Sequence, residues 1–125
     1  MSKIIKTFID KNTSIKSQTS ISKKKLGIEI LEITEVPKKF SIDPSESNVC
    51  RIVEFSPNIK KTLMHQTSTI DYGIILDGEI DLILKDDIIH LEKGDCFIQN
   101  SSEHAWSNKS ENTCKIFFVM VPNER

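Results

Sequence analysis

The stretch Thr69-Ile70-Asp71-Tyr72-Gly73-Ile74-Ile75-Leu76-Asp77-Gly78-Glu79, continued by Ile80-Asp81-Leu82-Ile83-Leu84, decides the fold. Two runs rich in β-branched residues meet at Asp77-Gly78, a dipeptide suited to a tight reversal, so the pair reads as a β-hairpin. The same grammar extends in both directions. Strands are predicted over 27–36, 49–55, 62–67, 70–76, 79–84, 88–91, 96–99, 105–107 and 114–121, and no long helical repeat occurs. Pro37, the cluster Asp43-Pro44-Ser45 and Ser56-Pro57-Asn58 punctuate the early strands; Lys85-Asp86-Asp87 and Lys93-Gly94-Asp95 punctuate the later ones. Many short antiparallel strands must bury two inner faces, which makes the chain all-β and closes it into a sandwich or small barrel.

The 125 residues, 38% of them hydrophobic, suffice for one small core. Residues 26–125 read as that single domain, and residues 1–25 as a basic polar arm in which Ile4, Ile5, Phe8 and Ile9 allow one short amphipathic turn. Charge divides the same way. The arm holds seven lysines against Asp10, a charge of +6, while residues 26–125 hold ten basic and seventeen acidic residues, a charge of −7. An acidic body repels phosphate, so no nucleic-acid partner is expected. No apolar run approaches the roughly 20 residues of a membrane span and no secretory apolar core is present, so no membrane partner and a cytoplasmic location are expected. Cys50, Cys96 and Cys114 are odd in number, lack CxxC spacing and sit in apolar runs, which suits buried, reduced thiols.

Three histidines occur. His90 stands at the outward phase of its strand if Ile89 and Leu91 face inward, and is read as a surface residue. His65 and His104 flank loops. The spacing His65-x-Thr67-x3-Asp71-Tyr72-x5-Gly78 resembles the first motif of the cupin superfamily, Gly-x5-His-x-His-x3,4-Glu-x6-Gly, and Gly94-Asp95-x8-His104-x3-Asn108 resembles the second. The resemblance covers roughly residues 47–121. It is closest to small single-domain cupins that carry Thr-x-Asp-Tyr-Gly-x-x-Leu-x-Gly-Glu, here residues 69–79, and Gln-x4-His-Ala-Trp-x-Asn, here residues 99–108.

What this resemblance implies is a double-stranded β-helix, or jelly-roll, barrel behind an N-terminal arm. The family's four metal-ligand positions fall on His65, Thr67, Asp71 and His104. The second histidine is thus a threonine and the glutamate a shorter aspartate; Ile59 stands where the first motif starts with glycine, and the second motif is one residue short and lacks its proline. The implied metal ligands are His65, Asp71 and His104, with Asp71 and His104 as the catalytic pair. Two imidazoles and one carboxylate make the facial triad of non-haem iron oxygenases, and the same donors accept zinc, manganese or nickel. A divalent metal is therefore the expected cofactor, with no organic cofactor.

Strand geometry constrains this arrangement. Six residues of unbroken strand span about 20 Å, so His65 and Asp71 meet only if the chain reverses at Thr67-Ser68-Thr69. Beyond it Asp71, Gly73 and Ile75 share a face, whereas Tyr72 points the other way and reads as packing rather than as an acid. Thr67, Gln99 and Trp106 complete the expected substrate pocket, Gln99 as a ligand-orienting amide or a satisfied edge residue, Trp106 as an apolar wall or core. Asn108 is expected to fix its loop through backbone hydrogen bonds.

The expected function is a small-molecule-binding cupin, a metal-dependent enzyme acting on an organic acid, ketide-like or aromatic metabolite by oxygenation, decarboxylation or isomerisation. Two alternatives stand beside it: a metal-free ligand-binding or sensing cupin, motivated by the missing histidine, and a metal-free acid/base isomerase or epimerase. A homodimer is expected, since small cupins commonly pair and the strand over 27–36 resembles an edge in need of cover.

Overall fold

The computed structural model describes residues 27–32, 48–62 and 64–123 in full, and residues 5–9, 15–19, 21–25 and 33–34 by their backbone. Among the described residues there are only strands: β1 (Ile5–Ile9), β2 (Ile15–Thr19), β3 (Ile21–Lys25), β4 (Ile28–Thr34), β5 (Val49–Phe55), β6 (Thr69–Asp77), β7 (Glu79–Leu84), β8 (Ile88–Glu92), β9 (Cys96–Gln99), β10 (His104–Ser107) and β11 (Cys114–Pro122). A six-stranded sheet runs β3-β4-β5-β11-β6-β9 and a three-stranded sheet runs β10-β7-β8, with β1 and β2 paired separately. All pairings are antiparallel. The two larger sheets enclose one core in a jelly-roll arrangement whose barrel is not fully closed.

The apolar residues fall into register across the strands. Ile30 of β4, Val53 of β5, Ile116 of β11 and Ile75 of β6 form one inward row. Ile80, Leu82, Leu91 and Trp106 of the smaller sheet pack against it. The next inward row is Glu32, Arg51, Phe118, Gly73 and Phe97, and the one after it Val49, Met120, Asp71 and Gln99. The interior therefore changes from aliphatic through aromatic to polar along the strand direction.

Two glycines position this frame. Gly78, at φ +79°, turns β6 into β7, and a Cβ there would stand 2.6 Å from the Thr113 carbonyl oxygen. Gly73 lies beneath the Phe97 ring, which fills the space a side chain would need.

Several expectations change. Residues 62–67 form no strand; His65 makes a single bridge to His104. The chain advances six residues from Ile59 to His65 while its partner advances four from Asn108 to His104, and the two surplus residues break the ladder. Strand β4 is not an edge, because β3 pairs along it. The amphipathic turn drawn over Ile4–Ile9 is an extended strand over Ile5–Ile9, where Ile5, Thr7 and Ile9 are β-branched at alternate positions. Cys96 is exposed rather than buried, since Phe97 and Gln99 occupy the inward phase of β9. Ile4, Val36, Pro37 and Asp43-Pro44-Ser45 lie outside the described residues.

Candidate functional site

The polar end of the interior gathers residues from four places in the chain. Strand β6 begins there, so Thr69 and Asp71 face inward, both buried. Buried Thr67 precedes them. Strand β10 contributes His104, only 2% exposed, and the bridge between its backbone and that of His65 brings the two rings to 4.5 Å between centroids. That bridge is reciprocal: His65 N donates to the His104 carbonyl at 3.0 Å and His104 N to the His65 carbonyl at 2.9 Å.

Each group has a defined setting. The Thr69 hydroxyl donates to Asp71 Oδ1 at 2.6 Å and lies 3.2 Å from the Thr67 hydroxyl, so a short hydroxyl chain fixes the carboxylate. His104 Nδ1 lies 2.9 Å from the Ser102 carbonyl oxygen, which can only accept; Nδ1 therefore carries the proton and Nε2 the lone pair. Burial pushes the Asp71 carboxyl above its usual range, against the Thr69 hydrogen bond and the opposing charges of His104, Arg51 and His65. Burial likewise pushes His104 below the usual imidazole value, helped by His65 and opposed by the Ser102 hydrogen bond and by Asp71. Both groups are driven toward their neutral forms.

Gln99 is buried, but its amide turns to the adjoining loop, donating to the Asn100 carbonyl at 2.9 Å and to Ser102 Oγ at 2.7 Å. It thus braces the residue whose carbonyl orients His104. Trp106 packs in the core: its ring lies 5.5 Å from Phe97, 5.8 Å from Phe118 and 6.3 Å from His104. Asn108, fully buried, donates to the carbonyls of Phe55, Ser56 and Asn112 and accepts from Ser110, the loop-fixing role expected of it. Tyr72 is 45% exposed on the outer face, and His90 lies on the surface beside Asp81 and Glu79.

Three residues were missed. Arg51 is buried and ion-pairs with Glu32, its register partner on β4, and its charge reaches Asp71. The signal was present, since Arg51 is in phase with Val49, Val53 and Phe55, and Glu32 with Ile28 and Ile30. Thr69 was read as part of a reversal rather than as the donor to Asp71. The three cysteines are free, and burial with the nearby charges of Asp77 and Glu79 pushes the Cys114 thiol up to about 12, so it stays protonated.

The donor chemistry bears on the metal implied by the motifs. His104, with Nε2 left as an acceptor, has the tautomer of a metal ligand held by an outer hydrogen bond. Thr67 offers only a neutral hydroxyl at the second histidine position. Among the described residues no three His, Cys, Asp or Glu side chains stand together in a sphere that would hold one ion.

An all-β jelly roll with two motif histidines bridged at its polar end defines a cupin-type domain. The chain belongs to the cupin domain family, whose model matches residues 51–120. Among its relatives, it is 45% identical over 64 residues to phomopsin biosynthesis cluster protein C' of Diaporthe leptostromiformis, covering 50% of this chain and 33% of that one. It is 38% identical over 66 residues to the cupin-domain-containing oxidoreductase virC of Hypocrea virens, covering 52% of this chain and 34% of that one. The matched segment is thus about one third of those relatives' length. The Cnp3 cupin domain of Schizosaccharomyces pombe shares the fold, with a TM-score of 0.66 at 12% identity over 98% of this chain and 89% of that one. No helix long and apolar enough to cross a membrane occurs among the described residues.

Proposed function

We propose that the chain is a small-molecule-binding cupin that works as a metal-dependent enzyme on an organic acid, ketide-like or aromatic metabolite. Its reaction is of the oxygenation, decarboxylation or isomerisation type, and relatives named as a cupin-domain oxidoreductase and a biosynthesis cluster protein support that class. The observation that carries the reading is the pairing of His65 with His104, their rings side by side and tilted, at the end of the interior where Asp71 enters. In this reading His65, Asp71 and His104 would hold a divalent iron, manganese, zinc or nickel ion, which would supply Lewis acidity toward the substrate. The chain's own residues do the rest. Ser102 and Gln99 fix the His104 ring, Thr69 holds one Asp71 oxygen, and Trp106 with Phe97 and Phe118 forms an apolar wall. The domain acts in the cytoplasm, with residues 1–25 as an arm whose last strand, β3, joins the edge of the barrel domain of residues 26–125 by pairing with β4.

A specific observation favours a second reading. No three-donor sphere is assembled among the described residues, and Thr67 replaces a nitrogen ligand. A metal-free domain would either bind and sense a ligand or catalyse proton transfer, with His104 Nε2 taking a proton and Asp71 returning one.

Metal content by mass spectrometry on untagged protein, with His104→Ala as the paired variant, separates the readings. Near-stoichiometric metal that falls roughly tenfold or more in the variant is the expected result. Metal absent from both after anaerobic supplementation transfers the assignment to the metal-free reading; metal bound equally by the variant overturns His104 as a ligand. In the metal-free reading, ligand stabilisation in a thermal-shift screen ignores chelator.

A further inference from the structure

We infer that the seam between strands β8 and β9 admits a small ligand sideways into the interior and holds its apolar body, and that this ligand is a neutral hydroxyaromatic compound. The inference rests on the small-molecule-binding reading above and not on the metal. Strand β8 ends the three-stranded sheet, β9 ends the six-stranded one, and the two are not paired with each other. They leave a common turn at residues 93–95. That turn is tied to β6: Gly94 N donates to the Ile75 carbonyl at 2.8 Å, and Ile75 N to the Asp95 carbonyl at 2.9 Å. From there the edges part. Leu91 and Ile89 stand opposite Ile80 and Leu82 and share their inward phase. Yet exposure rises from 6% at Leu91, beside the turn, to 40% at Ile89. An inward residue that reaches solvent marks a gap in the wall.

The gap leads toward the polar end. Ile89 continues, through Leu82, the row that begins at Trp106, and partly buried Leu84 is the register partner of His104. Phe97, partly buried on β9, packs on Trp106 from the other sheet. An apolar run of Ile89, Leu84 and Phe97, floored by Trp106, therefore extends from solvent to the neighbourhood of the His104 ring. Two polar atoms there are open. Among the described residues, His104 Nε2 and Asp71 Oδ2 have no hydrogen-bond partner, and no side-chain nitrogen or oxygen shut off from solvent goes without one. Both atoms thus keep a face on solvent, although their residues are only 2% and 4% exposed.

Walls, inner end and rim select the occupant. The walls are uncharged, and the rings of Phe97, Phe118 and Trp106 stand tilted or edge-on to one another, a setting for a flat aromatic body. At the inner end the lone pair of His104 Nε2 calls for a donor, which a hydroxyl supplies. At the rim, Asp86 and Asp87 of the turn after β7 and Glu103 before β10 are exposed, against Lys85. That excess of negative charge disfavours a carboxylate and leaves a neutral hydroxyl as the head. Of the substrate classes named above, the seam thus selects the aromatic one over the organic acid.

The test is a titration of the full chain, methyl-labelled at isoleucine and leucine, with para-cresol, followed by NMR. Saturable shifts of the Ile89 and Leu84 methyls and of the Trp106 indole N–H are expected, with the Ile88 methyls unmoved. Ile88 is the more exposed neighbour at 57%, but it has the outward phase. Ile89→Glu is expected to weaken binding roughly tenfold or more with an unchanged far-ultraviolet circular dichroism spectrum, and Ile88→Glu to leave it at the wild-type value. Para-toluate, the same body with a carboxylate head, is expected to bind roughly tenfold more weakly than para-cresol. No saturable shift in wild type, an equal shift at Ile88, or wild-type affinity in Ile89→Glu overturns the seam. Para-toluate binding as tightly as para-cresol overturns the hydroxyaromatic assignment. Metal content, read on the same samples, keeps the two readings apart. Metal held by a protein that takes up no para-cresol refutes the seam alone, whereas para-cresol seated against Ile89 in a metal-free protein supports the seam while the metal-dependent reading fails.

Discussion

His90 is the histidine whose surroundings favour its charged form. Its Nδ1 lies 2.7 Å from Asp81 Oδ1, and its Nε2 lies 3.3 Å from Glu79 Oε1. The Asp81 hydrogen bond is the largest influence and raises its pKa; slight burial opposes it, and the charges of Asp81, Glu79 and Glu92 add to it. A folded-state pKa above the unfolded value of 6.5 means that the native state holds the proton more tightly. Its contribution to stability is thus complete below pH 6.5 and is lost as pH rises through the raised folded value. Wild type is therefore expected to melt above His90→Asn at acidic pH, with the gap closing as pH rises and as salt is added. The gap should be no more than a few degrees, the scale of an exposed pair worth under about 1 kcal/mol. A melting-temperature series for the two proteins checks it; a gap that widens with rising pH contradicts it.

At the scale of elements, strands β6 and β9 meet where a glycine and a phenylalanine are matched. Gly73 and Phe97 are register partners, and the Phe97 ring folds across Gly73 to pack 5.6 Å from Phe118 and 5.5 Å from Trp106. Gly73→Ala forces the ring out of that cluster and is expected to cost about 1–3 kcal/mol in urea unfolding, the range for overpacked cores. Phe97→Leu in the same chain should recover part of the loss; equal stability of wild type and Gly73→Ala would show that the ring moves freely. This pair also marks the limit of sequence reading. Strands Val49–Phe55, Glu79–Leu84 and Cys96–Gln99 have the bounds that alternation and turn residues predict, because local pattern determines them. The dependence of Gly73 on Phe97 is set by long-range register, which local pattern does not encode. The irregular run from Ile59 to His65 escaped for the same reason, since its two surplus residues are visible only against β10. The meeting of His65 and His104 was legible through the motif spacing, whereas the hydrogen bonds of Gln99 to its loop were not.

For the molecule as a whole, the governing feature is an interior that is apolar at one end and polar at the other, with the Glu32–Arg51 ion pair at the change. The pair joins β4 to β5 from inside, and both side chains are nearly removed from solvent. Desolvating two charges costs about as much as their attraction returns, so such a pair does little for net stability while intact. Breaking it is another matter, because the buried Arg51 charge loses the carboxylate that balances it. Glu32→Leu alone is expected to destabilise the domain by about 3–5 kcal/mol, and Glu32→Leu combined with Arg51→Met to be more stable than that single variant. Urea unfolding of the four proteins in the cycle measures the coupling. The double variant also withdraws one of the positive charges that lower the Asp71 carboxyl, so that group should titrate still higher than in wild type, as read by carbon-13 NMR of its side chain. Recovery of stability without that titration change would separate the pair's part in closing the sheet from its field at Asp71. Both changes together are the outcome expected if Arg51 serves the fold and the polar end at once.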